Sequence, residues 1–214
     1  MIVALHSPLV DNRATTTLIR GADLVAAPWK NGGGVTREVG AFPAGAGLDA
    51  FTWRVSIADV AQAGPFSRFA GIDRTLVLLS GAGMLLDETD DTGAHAVKTH
   101  ALTQPLDIAQ FAGEARIDAR LVDGATRDFN LMVRRGVAVG ETEVWRGDTQ
   151  RTVSADAVLL FCASGSVSVT LGGETQPQVL EADDTLRIDT PNALSCAVKG
   201  AGALLAISIR YTQR

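Results

Sequence analysis

The chain has 214 residues, of which 46% are hydrophobic, 20% charged and 5% aromatic, and its formal net charge is −5. Its aliphatic content excludes a disordered chain, and the absence of a Gly-X-Y period excludes a collagen-like one, so we expect a packed globular protein. A chain of this length forms one large domain or two small lobes. The acidic balance favours no nucleic-acid partner, although 16 of the 19 basic residues are arginine.

The amino terminus, MIVALHSPLV, has neither a basic flank nor a long apolar core. Apolar runs elsewhere, such as 157–163, are shorter than the roughly 18 residues that a membrane span needs. Cys162 and Cys196 lie in apolar stretches and form no CxxC motif, which favours buried thiols in a reducing compartment, with a single bridge left open. We therefore predict a soluble cytoplasmic protein without a membrane partner.

The segment 28–38, PWKNGGGVTRE, places Trp29, Lys30 and Asn31 immediately before three glycines. Consecutive glycines adopt positive φ and let backbone N–H groups approach a bound anion. The alternative is a flexible loop whose tryptophan packs on the core and whose lysine is solvated. The segment matches neither a Walker loop nor GxGxxG, so it does not support nucleotide binding.

Regular segments alternate apolar and polar residues, which is typical of an all-β sandwich or barrel. In the segment 51–58 one face is apolar, formed by Phe51, Trp53, Val55 and Ile57. The other face carries Arg54 and Ser56, so it is either solvated or turned towards a polar cavity. The segment 129–134 alternates in the same way.

Two segments resemble one another within the chain. Residues 76–86 and 158–169 each predict a buried strand, a glycine turn and a returning strand, with Gly83 and Gly165 in register. A polar loop and a further apolar strand follow each, near 105–108 and 183–188. Two copies of one β-unit predict two barrels or sandwiches, with chance similarity of short hairpins as the alternative. We place the boundary in a hinge at 134–142, giving domains 1–136 and 137–214.

Four blocks together resemble the HutD/Ves family of small bacterial proteins: PWKNGGGVTRE, FxWRVSIADV, GPFSRFxGIDRxLxLLSGxGMxL and DFNLMVRRG. The resemblance covers residues 15–136, and the remainder follows by its β-pattern. It implies a bicupin, two double-stranded β-helix (jelly-roll) barrels in one chain. It also implies a ligand-sensing or regulatory role among histidine-utilisation genes for HutD-type members, and a link to stress responses for Ves-type members, with no firmly attached enzymatic activity.

Metal-dependent cupins supply an HxH pair, a glutamate and a later histidine to one metal ion. This chain has three histidines, His6, His95 and His100, and no HxH motif. The last two lie in or just after the polar segment 87–100, which we expect to be a solvated loop. We therefore predict no metal and no cofactor.

The candidate ligand-binding residues combine polar groups with an apolar wall. The polar candidates are Lys30, Asn31, Arg37, Arg54, Ser56, Arg74, Asn130 and Arg134, and the wall candidates are Trp29, Trp53, Phe66 and Met132. Five of the eight polar groups are cationic, so a pocket that they shared would select a small anion, most simply a carboxylate. The alternative is that several point outward and pair with Glu38, Asp59, Asp73 or Asp128.

The leading hypothesis is non-enzymatic binding of a small carboxylate metabolite in the first barrel. The resemblance suggests histidine-pathway acids such as urocanate or a formylated glutamate. Lys30 and Arg54 would neutralise the carboxylate, Asn31 and Asn130 would supply directional hydrogen bonds, and a tryptophan would cover the planar part. Alternatives are a cofactor-independent isomerase or hydrolase using Lys30, Asp73 or Glu38, and a protein-interaction module acting through the C-terminal lobe. A homodimer is left open.

Overall fold

A computed structural model of the protein describes residues 14–90 and 95–212. Within these ranges the helical content is one 3-10 turn, Gly21–Asp23, and the rest of the regular structure is β-strand. The strands are Thr15–Ile19 (β1), Ala26–Pro28 (β2), Gly34–Phe42 (β3), Trp53–Val60 (β4), Gly64–Pro65 (β5), Ile72–Ser80 (β6), Met84–Thr89 (β7), Ala96–Leu102 (β8), Ile108–Ala112 (β9), Arg116–Leu121 (β10), Thr126–Arg134 (β11), Ala138–Arg146 (β12), Thr149–Val153 (β13), Ala157–Ser164 (β14), Ser166–Leu171 (β15), Gln178–Glu181 (β16), Thr185–Asp189 (β17), Leu194–Lys199 (β18) and Ala203–Tyr211 (β19).

The strands form four antiparallel sheets, two for each barrel. The first barrel combines the sheets β2-β3-β4-β11-β6-β9 and β5-β10-β7-β8. The second combines β12-β19-β14-β17-β1 and β13-β18-β15-β16. The order β4-β11-β6-β9 therefore recurs as β12-β19-β14-β17, and the small sheets correspond strand for strand. The predicted all-β bicupin fold is confirmed.

The internal repeat has a different register from the one that the sequence suggested. The Leu78 carbonyl oxygen accepts from the Leu106 N–H, just before β9, at 2.7 Å. The Cys162 carbonyl oxygen accepts from the Asp183 N–H, just before β17, at 2.8 Å, and both donor residues have positive φ. This match aligns Leu78 with Cys162, and hence Gly81, rather than Gly83, with Gly165. The two strands beside each glycine also lie in opposite sheets, so the expected hairpins are corners between sheets.

Strand β1 joins the second barrel although it begins the described chain. It pairs antiparallel with β17, from Thr15 opposite Asp189 to Ile19 opposite Thr185. Directly after it, Arg20 forms an ion pair with Asp184 at 2.6 Å, and the Gly21 N–H donates to the same carboxylate at 2.9 Å. The remaining strands divide on either side of residues 135–137, within the segment that we expected to be a hinge.

Apolar clusters fill three layers between the four sheets. The widest cluster lies between the two large sheets and includes Trp53, Val55 and Ile57 of β4, whose side chains point towards the second barrel. Side chains alternate along a strand, so Arg54 and Ser56 point into the first barrel instead. The polar face of β4 is therefore turned towards a cavity rather than towards solvent. Both cysteines are buried and free. In the described ranges no helix is long and apolar enough to span a membrane.

Candidate ligand-binding site

The first barrel contains a cavity of about 640 Å³. Its inner wall is formed by β4, β6 and β11, at the centre of the six-stranded sheet. Its mouth is formed by two loops, near residues 27–31 and 65–69. Nine of the twelve predicted site residues line it: Trp29, Lys30, Asn31, Arg54, Ser56, Phe66, Arg74, Asn130 and Met132. That they bind a ligand stays a prediction.

Three predicted site residues lie outside the cavity lining. Arg37 forms an ion pair with Asp59. Trp53 has no exposed surface, because it occupies the other face of β4. Arg134 donates from Nε and Nη2 to the carbonyl oxygens of Phe51 and Asp49, at 2.9 and 2.8 Å, and so fixes the preceding loop. These side chains were predicted from their charge and size. Their actual partners are distant in sequence, so no local pattern could have indicated them.

The glycine-rich loop shapes the mouth of the cavity. Its Gly33 N–H donates to Asn31 Oδ1 at 3.0 Å, and Trp29 Nε1 donates to Thr36 Oγ1 at 2.7 Å. A Cβ on Gly34 would lie 2.5 Å from the Asp59 carbonyl oxygen, so this position requires glycine. The Gly32 and Gly33 N–H groups are therefore engaged within the loop, and anion binding by its backbone stays a prediction. Lys30 and Asn31 line the cavity from this loop.

Arg54 is held in place by polar neighbours inside the barrel. Its Nε donates to Glu38 Oε2 at 2.7 Å and its Nη1 donates to Ser56 Oγ at 3.2 Å. The Arg54 side chain is 13% exposed, whereas Glu38 is 43% exposed, so the contact with Ser56 is partly buried and the contact with Glu38 is open to water. Glu38 balances part of the Arg54 charge and fixes the direction of its guanidinium group, which makes Glu38 a support of the site.

Arg74 is the most enclosed cation of the cavity. Three phenylalanine rings surround its guanidinium carbon, with centroids at 5.3 Å (Phe66), 5.8 Å (Phe69) and 5.1 Å (Phe111). Burial lowers the pKa of Arg74 to about 10, while the nearby Asp128 carboxyl opposes the shift. The guanidinium group therefore remains charged at neutral pH. A desolvated cation inside an aromatic enclosure is a strong attractor for an anion.

Asp128 lines the cavity although it was not among the predicted site residues. The sequence suggested it only under the alternative, as a salt-bridge partner for outward-pointing cations, whereas in the structure it is 2% exposed and lies between Ala58 on β4 and Leu78 on β6. Burial raises the pKa of its carboxyl to about 7, with Arg74 opposing the shift and Asp59 adding to it. The signal was present in the sequence, because Asp128 shares its strand face with Asn130 and Met132.

The cavity does not fit a metal ion. Its described lining holds one carboxylate, Asp128, and no histidine or cysteine, whereas a divalent metal needs three or four such ligands. Residues 14–90 and 95–212 contain no cluster of three potential metal-binding side chains. His95 is exposed, and His100 Nε2 lies 3.6 Å from Glu88 Oε2. His6 is outside the described residues.

Fold and cavity together define a bicupin whose first barrel carries a polar, metal-ligand-poor pocket. The HutD family model matches residues 21–206, and the chain belongs to the HutD family. A Pseudomonas putida relative, described as an uncharacterized 21.2 kDa protein in the hutC 3′ region, is 36% identical over 194 residues, covering 90% of this chain and 97% of the relative. Protein Ves of Escherichia fergusonii is 42% identical over 107 residues, about half of each chain.

Two solved structures are similar over nearly the whole chain. HutD from Pseudomonas fluorescens SBW25, determined in a formate condition, has a TM-score of 0.75 and 32% identity and covers 92% of this chain and 100% of its own. A conserved protein of unknown function from Pseudomonas aeruginosa PAO1 has a TM-score of 0.80 and 32% identity and covers 92% of this chain and 99% of its own. The resemblance stated from the sequence blocks is thus confirmed.

Proposed function

We propose that the protein binds a small carboxylate metabolite in the cavity of its first barrel, as a sensor or regulator linked to histidine utilisation. The observation that carries the proposal is the pair of shielded guanidinium groups, Arg54 and Arg74, inside a cavity of about 640 Å³. Charge-assisted hydrogen bonds from arginine suit the two oxygens of a carboxylate. Lys30 and Asn31 at the mouth add a third cation and a directional donor.

The size and chemistry of the cavity support a metabolite rather than a macromolecule. Ligand pockets of a few hundred Å³ enclose most of the surface of a small molecule. Trp29, Phe66 and Met132 supply apolar wall for the carbon skeleton. Family membership and the hut-region relative support the histidine-utilisation link, so urocanate and N-formyl-L-glutamate are the first ligands to test.

Isothermal titration calorimetry with these two acids tests the proposal. We expect saturable binding that Arg74→Met weakens by about 10- to 100-fold, because a hydrogen bond to a charged group contributes roughly 1.5–3 kcal/mol. The matched control is Arg37→Met, which removes the same charge from a residue outside the cavity and should leave the affinity within about twofold. Absence of binding at millimolar ligand, or equal losses in both variants, would refute carboxylate binding at this site.

A cofactor-independent enzyme on the same barrel is the second candidate, and Asp128 is the observation that favours it. Of the residues predicted for that role, Glu38 is engaged with Arg54, and Asp73 pairs with Arg135 outside the cavity. A buried carboxyl with a pKa near 7 is suited to general acid–base work. Proton NMR of either acid with the protein would show product formation that Asp128→Asn abolishes, whereas unchanged ligand after prolonged incubation excludes turnover of that acid.

A further inference from the structure

The inner end of the cavity differs in chemistry from its outer end. Asp128 and Asn130 project into the barrel from β11, opposite Ala58 and Ser56 of β4. Arg54 and Arg74 lie on either side of Met132, further along the same strand. The backbones of Asp128 and Met132 are four residues apart, which is about 13 Å at the usual rise of a strand. Along β11 the acceptors therefore precede the positions beside the arginines, while Asp128 and Arg74 remain close enough to influence each other's pKa.

Two acceptor atoms at the inner end are buried without a partner. Within the described part of the chain, Asp128 Oδ2 and Asn130 Oδ1 receive no hydrogen bond. Leaving a buried acceptor unpaired costs about 1–3 kcal/mol, so such atoms require an explanation. The neighbours Ala58, Leu76 and Leu78 belong to the apolar cluster of the barrel and offer no donor, and the hydroxyl of Ser56, opposite Asn130, makes no hydrogen bond to either acceptor. A donor from a ligand would satisfy at least one of the two atoms.

A donor atom of Arg74 is unpaired as well. Its Nε is buried and has no acceptor among the described residues, and its Nη1 makes only a long contact of 3.4 Å with the Ser67 carbonyl oxygen. The guanidinium group is packed against rings that attract the charge but accept no ordinary hydrogen bond. An acceptor is therefore missing beside Arg74, and donors are missing beside Asp128 and Asn130.

We propose that the ligand carries an N–H group in addition to its carboxylate, and that the N–H donates to Asp128 and Asn130 while the carboxylate accepts from Arg74 and Arg54. This inference rests on the proposed carboxylate binding and defines the ligand class further. An imidazole, an amide or an ammonium nitrogen fits the acceptor end. An apolar or purely oxygen-accepting group there leaves both acceptors unpaired, so a site of this kind discriminates strongly against it.

Two pairs of acids separate this selectivity from carboxylate binding as such. N-formyl-L-glutamate is paired with glutarate, which has the same two carboxylates and no N–H group. Urocanate is paired with trans-cinnamate, in which a phenyl ring replaces the imidazole. Calorimetry with the full chain should show at least tenfold tighter binding of the N–H-bearing member of at least one pair.

Asp128→Asn provides the decisive variant, because it removes the charge and keeps the shape. The N–H-bearing acid should bind at least tenfold more weakly to it than to the wild type. Its N–H-free partner should bind equally well or more tightly, because a negative charge has left the neighbourhood of Arg74. Asp123→Asn, which makes the same change at an exposed position outside the cavity lining, should leave both affinities within about twofold. Thermal melting of each variant verifies that it is folded.

The outcomes distinguish the two proposals. If no acid binds to the wild type, carboxylate binding fails, and the N–H inference fails with it. If both members of each pair bind equally, or if Asp128→Asn changes both affinities in the same direction, carboxylate binding stands and the N–H inference is refuted.

Discussion

The two barrels share a strand order, but their interiors are built from different side chains. With Leu78 equivalent to Cys162, the two large sheets align residue by residue. The strand pairing agrees, because the register of β11 with β6 shifts directly beyond Leu78 and the register of β19 with β14 shifts directly beyond Cys162. Opposite these two residues stand Asp128 in the first barrel and Leu204 in the second. A carboxyl at the inner end of the cavity is thus replaced by a fully buried leucine.

The same replacement recurs along the central strands. Asn130 corresponds to Ala206, and Arg74 corresponds to Val158. On the neighbouring strand, Trp145 stands where the first barrel has Ala58, and its indole packs in the apolar cluster of the second barrel. The same barrel backbone can therefore enclose either a filled apolar core or a polar cavity. The side chains that face into the barrel from three adjacent strands determine which of the two forms. This contrast is why the proposed binding is assigned to the first barrel alone.

Leu204→Asp tests the contrast with the largest expected effect. The substitution gives the second barrel the carboxyl of the first without Arg74 or a cavity. The lost packing and the buried, unpaired carboxyl should together lower the free energy of unfolding by about 5 kcal/mol or more at pH 8. Urea unfolding followed by far-ultraviolet circular dichroism measures the change.

The reverse substitution, Asp128→Leu, and the mild Leu204→Met are the controls. Asp128→Leu should cost little, because Ala58 and Leu78 already provide apolar neighbours and burial disfavours the ionised carboxyl that the substitution removes. Leu204→Met should cost less than about 1.5 kcal/mol, since volume-conserving core changes are tolerated. A small effect of Leu204→Asp would show that the second barrel accommodates polar groups after all.

Much of this architecture was predictable from local pattern. Alternation in β4 separated Trp53, Val55 and Ile57 from Arg54 and Ser56, and the repeated glycine turns indicated two copies of one unit. Strand pairing was less accessible, because the two strands beside each glycine lie in different sheets and their partners are distant in sequence. Nor does any local pattern indicate that β1 pairs with β17.

The sequence predicted which residues line the cavity better than it predicted their burial, ionisation and ion-pair partners. Nine lining residues followed from polar and aromatic positions in four blocks. Asp128 was not among the predicted site residues, because a carboxylate is usually solvated or paired, and its burial follows only from the packing of β4 and β6 against β11. Arg37 and Arg134 were included because local sequence does not reveal the Asp59 carboxylate or the carbonyls of Asp49 and Phe51.

Asp128 also gives the first barrel a pH dependence that Leu204 cannot give the second. Below about pH 4 the carboxyl is protonated in both folded and unfolded chains. Because burial raises its folded-state pKa to about 7, the unfolded chain releases the proton first as the pH rises, so the free energy of unfolding falls between about pH 4 and 7. Above pH 7 this loss is complete. Three pKa units correspond to a loss of about 4 kcal/mol at most.

Urea unfolding of the wild type and of Asp128→Asn across pH 4–8 measures this contribution. The difference between the two chains isolates Asp128, since the histidines are common to both. Relative to the wild type, the variant should gain stability as the pH rises through that window. If the two pH profiles are parallel, Asp128 ionises with an ordinary pKa and the inner end of the cavity is hydrated.

The smallest expected effect compares the aspartates that cap equivalent turns, Asp107 before β9 and Asp184 before β17. Asp107 Oδ2 accepts from the backbone N–H groups of Thr103 and Gln104 at 2.9 and 2.8 Å, in an exposed turn. Asp184 accepts from its own turn, from the Gly21 N–H and from Arg20. Burial raises the pKa of Asp184, but these hydrogen bonds outweigh it and hold the pKa below its usual range.

Asp184 therefore fastens β1 to the second barrel as well as capping a turn. Asp184→Ala should lower the free energy of unfolding by about 2–3 kcal/mol, against about 1 kcal/mol for Asp107→Ala, because it leaves several donors, one of them charged, without an acceptor. Hydrogen exchange should accelerate at the amides that join β1 to β17 in Asp184→Ala and stay slow there in Asp107→Ala. Equal losses from the two variants, with unchanged exchange in β1, would mean that strand pairing alone holds β1 and that the two turns are energetically alike.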